Sequence, residues 1–299
     1  MLSKQMTANL KLLAEGSLPA DATWQEYRES YDSLGEAFPA LPEVRRENAE
    51  FGGIKGFRYV PPGADETRAI VYFHGGGYCI GSERSHEMIV TTLAMMAGCP
   101  LWFPLYRLAP EHPFPIPVED CIAAWQGFAE SGAEPGRVGF AGDSAGGGLV
   151  FSVSQAARDR GMALPKCCVA LSPWTDMEGT GTWRAGDPER DALLSPAELD
   201  MLVDGFLAGA DRRDPLAAPI FGSFQGLPPF LIQASRSELL YDDAVRLAGA
   251  LERANNPPIL ELAEEGTPHV WHHMVPDVPE AVRALGNAAA YVRHLTNGG

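Results

Sequence analysis

Residues 139–148 read Gly-Phe-Ala-Gly-Asp-Ser-Ala-Gly-Gly-Gly and contain the pentapeptide Gly-x-Ser-x-Gly at 142–146. This pattern is typical of a tight turn between a strand and a helix that leaves a serine hydroxyl exposed. Glycine two residues to either side leaves room for the strained backbone of the serine. Residues 137–141 predict a short buried strand, and residues 148–158 predict an apolar helix. We therefore expect Ser144 at a strand-to-helix turn.

The composition is that of a globular protein. The chain has 299 residues, 45% hydrophobic and 21% charged, which suffices for one large α/β domain, and length alone also allows two. A formal net charge of −16 argues against nucleic-acid binding. We expect neither a signal peptide nor a membrane span, because the apolar runs are too short. Five cysteines without zinc or redox spacing indicate buried reduced thiols in a cytoplasmic protein.

Short apolar runs alternate with helical patterns along most of the chain. The runs that predict buried strands are 69–73, 101–106, 137–141, 167–171, 230–234 and 259–262. Residues 45–60 predict a further extended segment with bends at its glycines. The later helices are predicted over about 118–129, 148–158, 242–254 and 279–295. This alternation predicts right-handed crossovers and a mainly parallel sheet that helices cover on both faces.

Two segments differ from this alternation. In residues 1–48, large side chains recur at helical spacing after a candidate N-cap at Asp21. In residues 176–221 there is little strand signal, and a helix is predicted from a capping box formed by Ser195 and Glu198. We predict a separate helical segment over 1–48 and an inserted element over 176–221. The remaining α/β domain then consists of residues 49–175 and 222–299.

A serine at such a turn becomes a nucleophile when a base removes its proton and a carboxylate orients the base. The chain order associated with this turn is serine, acid, histidine, so the base is expected after Ser144. His269, His272 and His273 follow the last predicted strand, whereas His294 fits a solvated helix position. We predict His269 as the base, because it lies nearest to the end of that strand.

The acid is expected after the strand predicted at 230–234. The carboxylates in that segment are Glu238, Asp242 and Asp243. Asp242 can instead serve as the N-cap of the following helix, a structural role that needs no catalysis. We predict Glu238, which has no such second role.

A glycine-rich stretch, His-Gly-Gly-Gly at 74–77, follows the strand predicted at 69–73. This pattern is typical of loops whose backbone amides stabilise an oxyanion, since glycine lets a substrate approach the backbone closely. One such donor contributes roughly 3 kcal/mol of transition-state stabilisation. We predict an oxyanion hole formed by the amides of Gly75, Gly76 and Ala145.

Taken together, these motifs resemble bacterial esterases of the hormone-sensitive lipase group within the α/β-hydrolase fold. The resemblance runs from about residue 50 onward and is carried by residues 74–77, 106–115, 142–147, 239–243 and 269–272. It implies an eight-stranded, mainly parallel sheet flanked by helices, with a helical cap built from the N-terminal helices of 1–48 and the insertion of 176–221. It also implies a serine carboxylesterase that hydrolyses short-chain carboxylic esters through an acyl-enzyme on Ser144, without a cofactor or metal ion. In this family Arg107 and Glu111 look structural.

One position departs from the usual family pattern. The common acid is an aspartate followed by proline and leucine, whereas Glu238 here precedes two leucines. A subgroup similar to this sequence carries glutamate, so Glu238 stays the predicted acid. The implied partner is a small-molecule ester, and the chain is expected to be a monomer or a homodimer. Two alternatives stay open: a lactonase or amidase with the same triad, and a non-catalytic hydrolase-fold protein that binds a small ligand.

Overall fold

A computed structural model describes residues 2–14, 22–184 and 191–297. The described residues form eight β-strands and nine α-helices. The strands are β1 Arg45–Phe51, β2 Ile54–Val60, β3 Ala69–Phe73, β4 Leu101–Pro104, β5 Val138–Asp143, β6 Cys167–Leu171, β7 Phe230–Ser235 and β8 Ile259–Ala263. The helices are α1 Lys4–Ala14, α2 Trp24–Asp32, α3 Leu34–Ala37, α4 Glu83–Ala97, α5 Ile116–Glu130, α6 Ala145–Asp159, α7 Pro196–Leu207, α8 Tyr241–Arg253 and α9 Pro279–Thr296.

All eight strands belong to one sheet, in the order β1-β2-β4-β3-β5-β6-β7-β8. Strand β2 is antiparallel to both β1 and β4, and every other pair of neighbours is parallel. The prediction of an eight-stranded, mainly parallel sheet is confirmed. Strand β5 lies between β3 and β6, so the loops that follow β3 and β5 leave the sheet at the same edge.

Helices cover both faces of the sheet, and each face has its own apolar core. Helices α5, α6 and α8 contribute to one core, and α4 and α9 contribute to the other. In the first core Trp125 and Phe140 pack edge to face with ring centroids 4.7 Å apart. Burying one large apolar side chain of this kind stabilises the fold by about 1.5–3 kcal/mol. Burial on both faces explains the continuous apolar runs of the central strands.

Helix α4 is not among the helices predicted from the sequence. It begins after a capping box of Ser82 and Ser85 and ends at Gly98, whose φ of 66° closes the helix in a left-handed conformation. Its middle contains the β-branched residues Ile89, Val90 and Thr91, which favour strands in isolation. Burial of this stretch against the sheet outweighs that local preference.

The two segments predicted as a cap contain helices where they are described: α1, α2 and α3 in the first and α7 in the second. Helix α2 begins at Trp24, after an N-cap at Thr23 that forms a capping box with Glu26, while the predicted N-cap Asp21 lies outside the described residues. Helix α7 begins at the predicted capping box of Ser195 and Glu198. Strand β1 begins at Arg45, before the predicted boundary at 49. Among the described residues, no helix combines the length and the apolar composition that crossing a bilayer requires.

Candidate active site

Ser144 occupies the turn between β5 and α6, with φ 51° and ψ −119°. A β-carbon on Gly142 would lie 2.4 Å from the carbonyl oxygen of Gly146. A β-carbon on Gly146 would lie 2.0 Å from the carbonyl oxygen of Phe73. Both distances are too short for any side chain, so the turn requires glycine on both sides of the serine. The strand-to-helix turn predicted from the pentapeptide is therefore present.

The three side chains predicted to act together are connected by two consecutive hydrogen bonds, with His269 in the middle. His269 Nε2 is 2.9 Å from Ser144 Oγ, and His269 Nδ1 is 3.0 Å from Glu238 Oε2. The second carboxylate oxygen of Glu238 accepts a hydrogen bond from the backbone amide of Ser235 at 3.0 Å. An ionised carboxylate only accepts, so His269 Nδ1 carries the proton and Nε2 is free to accept from the serine hydroxyl.

The charge of Glu238 tunes the imidazole. Burial by itself lowers the pKa of His269, but the hydrogen bond and the negative charge of Glu238 outweigh burial and raise the pKa above its ordinary value. Glu238 is fully buried, and His269 is only 6% exposed, so water screens their interaction weakly. The arrangement favours an imidazole that takes up a proton readily.

The other candidates for the acid and the base have different partners. Asp243 accepts hydrogen bonds from the backbone amides of Thr175 and Asp176, at 2.7 Å and 3.0 Å. It therefore fixes the loop that follows β6. His272 Nε2 lies 2.9 Å from Gln233 Oε1, and burial lowers the pKa of His272 to about 3. Neither residue bonds to Ser144 or His269 among the described hydrogen bonds.

The prediction that the amide of Gly75 belongs to the oxyanion hole is wrong. This amide donates to Asp143 Oδ1 at 3.0 Å, in a buried position, and is therefore committed. The same oxygen accepts from the hydroxyl of Tyr72 at 2.7 Å. A β-carbon on Gly75 would lie 2.2 Å from Asp143 Oδ2, so the loop packs directly against that carboxylate. Gly75 anchors the glycine-rich loop, and the next glycines, Gly76 and Gly77, line the cavity above Ser144.

A cavity of about 700 Å³ opens over Ser144. Its floor includes residues of the sheet edge and of the loops around it: Gly76, Gly77, Ser144, Trp174, His269 and His273. Its walls include residues of α2, α3 and α7: Tyr27, Tyr31, Leu34, Leu199, Met201 and Leu202. A volume of this size is ordinary for a small-molecule site. The segments predicted as a cap thus supply the walls, and the α/β domain supplies the floor.

Two residues that connect the wall segments to the floor were missed in the sequence. Arg28 of α2 donates to the backbone carbonyls of Cys79 and Ala109, at 3.0 Å and 2.9 Å, and pairs with Glu111 at 2.6 Å. Asp191 accepts from the amide of Leu239 at 3.0 Å, directly beside the acid. Neither Arg28 nor Asp191 belongs to a motif. The presence of Glu111 in a family motif was the one sequence signal for the contact with Arg28. Arg107, the other motif residue, pairs with Asp120 at 2.6 Å.

The fold and the site define a serine hydrolase of the α/β-hydrolase class, and comparisons with known proteins agree. A family model described as alpha/beta hydrolase fold matches residues 70–273. An acetyl-hydrolase of Streptomyces hygroscopicus is 40% identical over 272 residues, which cover 91% of this chain and 90% of that protein. A carboxylesterase of Mycobacterium tuberculosis is 32% identical over 85% of this chain and 83% of its own length.

A solved structure gives the same assignment at the level of the fold. An esterase of the bacterial hormone-sensitive lipase family superposes with a TM-score of 0.95 and 34% identity, covering 99% of this chain and 100% of that chain. The chain belongs to this family of α/β hydrolases and is a carboxylic-ester hydrolase.

Proposed function

We propose that Ser144 is the nucleophile, His269 the general base and Glu238 the orienting acid of an esterase for short-chain carboxylic esters. The observation that carries this proposal is the continuous hydrogen bonding from Glu238 through His269 to Ser144, beneath a cavity of about 700 Å³. Each group has the partner that its role requires: the nucleophile faces a base, and the base faces a carboxylate.

Acylation begins when His269 Nε2 removes the hydroxyl proton of Ser144 as Oγ attacks the ester carbonyl carbon. The resulting imidazolium is stabilised by the buried charge of Glu238. As the tetrahedral intermediate collapses, the bond between the carbonyl carbon and the alcohol oxygen breaks, and His269 returns the proton to the departing alcohol. Water then attacks the acyl-enzyme with the same base, which releases the carboxylic acid and regenerates Ser144.

The oxyanion hole in this proposal consists of the amides of Gly76, Gly77 and Ala145. Neither Gly76 nor Gly77 donates its amide in the hydrogen bonds of the described residues, and both line the cavity beside Ser144. Ala145 is the first residue of α6, so its amide has no partner within the helix and the helix dipole favours negative charge there. Removing one such donor typically costs about 10²–10³ in kcat.

The preference for short acyl groups is supported by the relative named as an acetyl-hydrolase, which matches over 91% of this chain. The cavity walls point the same way. The Leu202 side chain lies against Gly77, since a β-carbon there would come within 2.6 Å of it. We propose that α7 thereby limits the space next to the oxyanion hole and that acetyl and similar short esters fit best.

The test combines a variant with a substrate panel. Ser144→Ala is expected to abolish hydrolysis of p-nitrophenyl acetate while the melting temperature stays near that of the wild type. Ser131→Ala, which changes an exposed serine, is the matched control and is expected to keep full activity. Near-normal turnover by a folded Ser144→Ala protein would contradict the proposal. Covalent reaction with an organophosphonate separates an esterase from a non-catalytic binding protein.

The panel also tests the substrate class. p-Nitrophenyl esters of increasing acyl length, a γ-lactone and an aryl amide are compared by kcat/KM. The highest value is expected for the short esters. A maximum on long acyl chains, on the lactone or on the amide would overturn the substrate assignment while leaving the assignment of Ser144 intact.

We also propose the division into cap segments 1–48 and 176–221 and an α/β domain of 49–175 and 222–299. The contribution of α2, α3 and α7 to the cavity walls supports it. A reducing, cytoplasmic compartment is supported by the five cysteines, all buried and unpaired. We expect a monomer or a homodimer, and light scattering of the purified protein distinguishes the two.

A further inference from the structure

A cluster of three buried titratable side chains lies behind the nucleophile. His86 of α4, Asp143 at the end of β5 and His273 of the turn after His269 each offer one ligand atom, and these atoms all lie within 4.8 Å of one another. His86 and Asp143 are fully buried, and His273 is 7% exposed. The proposed reaction uses none of these side chains directly. The three residues are far apart in the sequence and match no metal-binding motif.

The separations within the cluster are too long for hydrogen bonds between charged groups. His86 Nε2 is 3.4 Å from Asp143 Oδ1, and His273 Nε2 is 3.6 Å from Asp143 Oδ2. A charge-assisted hydrogen bond draws nitrogen and oxygen to about 2.7–2.9 Å. His86 Nε2, Asp143 Oδ2 and both ring nitrogens of His273 have no hydrogen-bond partner among the described residues. Such buried, unpaired polar atoms are costly unless a ligand satisfies them.

The hydrogen bonds around His86 indicate which of its nitrogens carries the proton. His86 Nδ1 lies 3.2 Å from the backbone carbonyl of Ser82, which can only accept. It also lies 2.9 Å from Ser85 Oγ, and that hydroxyl donates to the same carbonyl. Nδ1 is therefore the protonated nitrogen, and Nε2 of the neutral ring presents a lone pair to the carboxylate of Asp143. In that neutral form two electron-rich atoms face each other, and a cation between them, either a proton on Nε2 or a metal ion, offsets their repulsion.

Asp143 is held in its ionised form. Its Oδ1 accepts hydrogen bonds from the Tyr72 hydroxyl at 2.7 Å and the Gly75 amide at 3.0 Å. Two hydrogen-bond donors at this one oxygen favour the carboxylate form. Its Oδ2 accepts no hydrogen bond in the described residues and faces His273. The cluster thus combines a buried carboxylate with two imidazoles whose Nε2 atoms lie 3.4 Å and 3.6 Å from its oxygens.

We propose that His86 Nε2, His273 Nε2 and Asp143 Oδ2 bind a divalent transition-metal ion of the zinc type. Zinc bonds of about 2.0–2.1 Å in tetrahedral geometry place neighbouring ligand atoms about 3.4 Å apart. His273 Nε2 and Asp143 Oδ2 are 3.6 Å apart, and the ligand atoms of all three residues lie within 4.8 Å of one another. Imidazole and carboxylate are ordinary ligands for such an ion. A fourth position is left for water.

The surroundings of two of the three ligands match those of known metal sites. A metal-binding histidine usually donates its other ring N–H to a carbonyl or a carboxylate, and a ligating carboxylate is itself hydrogen-bonded. His86 donates to Ser82, and Asp143 accepts from Tyr72 and Gly75. His273 Nδ1 lacks such a partner, but His273 lines the active-site cavity, which gives the ion a route of entry.

The bound ion joins three elements that determine the geometry of the active site. It links α4 to the end of the strand that precedes Ser144 and to the turn that follows His269. Through Asp143 it also strengthens the anchor of the glycine-rich loop at Gly75. The role is structural: the ion stabilises the folded protein and does not touch the ester.

The test measures zinc binding and stability, independently of ester hydrolysis. Protein stripped with a chelator is incubated with zinc chloride, desalted and analysed by mass spectrometry for metal content. We expect one zinc ion per chain. The melting temperature is expected to rise by about 5 °C at free zinc one hundred times above the dissociation constant. Cobalt in place of zinc is expected to give the visible absorption of a four-coordinate ion.

Two variants of the cluster and two surface controls complete the design. His273→Ala and the more conservative His273→Gln are expected to lose both the bound zinc and the thermal shift, and circular dichroism checks that each is folded. His112→Ala and His294→Ala remove exposed histidines and are expected to keep one zinc ion. Absence of zinc from the wild type would overturn the proposal. Equal zinc binding by a folded His273 variant would do the same, since it would put the ion elsewhere.

Discussion

Replacing Glu238 with glutamine tests the acid, the residue at which the sequence departs from the usual family pattern. Glutamine has the size of glutamate and still offers an oxygen to the amide of Ser235, which donates to Glu238 at 3.0 Å. Its amide group would face His269 Nδ1, where Glu238 Oε2 now accepts at 3.0 Å. Because an amide N–H can only donate, the proton of His269 would move to Nε2, and the ring could no longer accept from Ser144.

The structure therefore predicts a large loss of activity without a loss of stability. A base in the wrong tautomer is expected to lower kcat by about 10⁴-fold, or about 5 kcal/mol of transition-state stabilisation. The folded protein is expected to tolerate the change, since burial disfavours the charged form of Glu238 and raises its pKa. Steady-state hydrolysis of p-nitrophenyl acetate gives the rate, and differential scanning fluorimetry gives the melting temperature.

Glu265→Gln is the matched control, because it makes the same chemical change at an exposed position of the loop before His269. We expect it to keep wild-type activity. Glu238→Asp, which restores the carboxylate common in the family, is expected to keep more activity than glutamine. The reasoning would be refuted by a folded Glu238→Gln protein that retains more than a tenth of the wild-type kcat.

Three further predictions concern pH, the cap and the thiols. Glu238 raises the pKa of His269 above the ordinary value of 6.5, so kcat/KM is expected to fall as the pH drops through a point above 6.5. In Glu238→Gln this fall is expected at lower pH, and an unmoved profile would contradict the prediction. Arg28→Met removes the donor to two carbonyls and is expected to raise KM about five-fold, whereas Arg45→Met, which breaks an exposed pair, should leave KM unchanged. Burial raises the pKa of the Cys79 thiol to about 12 and that of the Cys99 thiol to about 11, which leaves little reactive thiolate. Ellman's reagent is therefore expected to react with five thiols after denaturation and with almost none in the native protein.

The features of the fold that were predicted correctly from the sequence, and the positions of the residues proposed for the triad, depend on local chemistry or on chain order. The turn at Ser144 requires glycine on both sides for steric reasons that a pentapeptide displays. The chain order serine, acid, histidine limited the candidates for the base to a few histidines after the last strand. Among these His269 bonds to Ser144, while His272 turns to Gln233. The parallel sheet followed from continuous apolar runs, because strands buried on both faces carry little polarity.

The features that were missed depend on contacts between residues distant in sequence. The amide of Gly75 is captured by Asp143, a residue that the pentapeptide treats as variable. The three glycines at 75–77 are equivalent in the sequence pattern, so only the hydrogen bond to Asp143 shows that the amide of Gly75 cannot bind an oxyanion. The contacts of Arg28 with Cys79 and Ala109 likewise join the first helices to the glycine-rich loop without a motif. Helix α4 was missed because its β-branched residues locally favour a strand.

The central claim is that ester hydrolysis passes through a covalent intermediate on Ser144, and active-site titration tests it most directly. The protein is treated with diethyl p-nitrophenyl phosphate, and intact mass spectrometry is followed by mapping of the peptide that contains residues 138–148. We expect one diethylphosphoryl group per chain, attached to Ser144, with loss of activity in proportion to labelling. Ser144→Ala is expected to remain unlabelled. Labelling at another residue, or unchanged esterase activity after complete labelling of Ser144, would contradict the account.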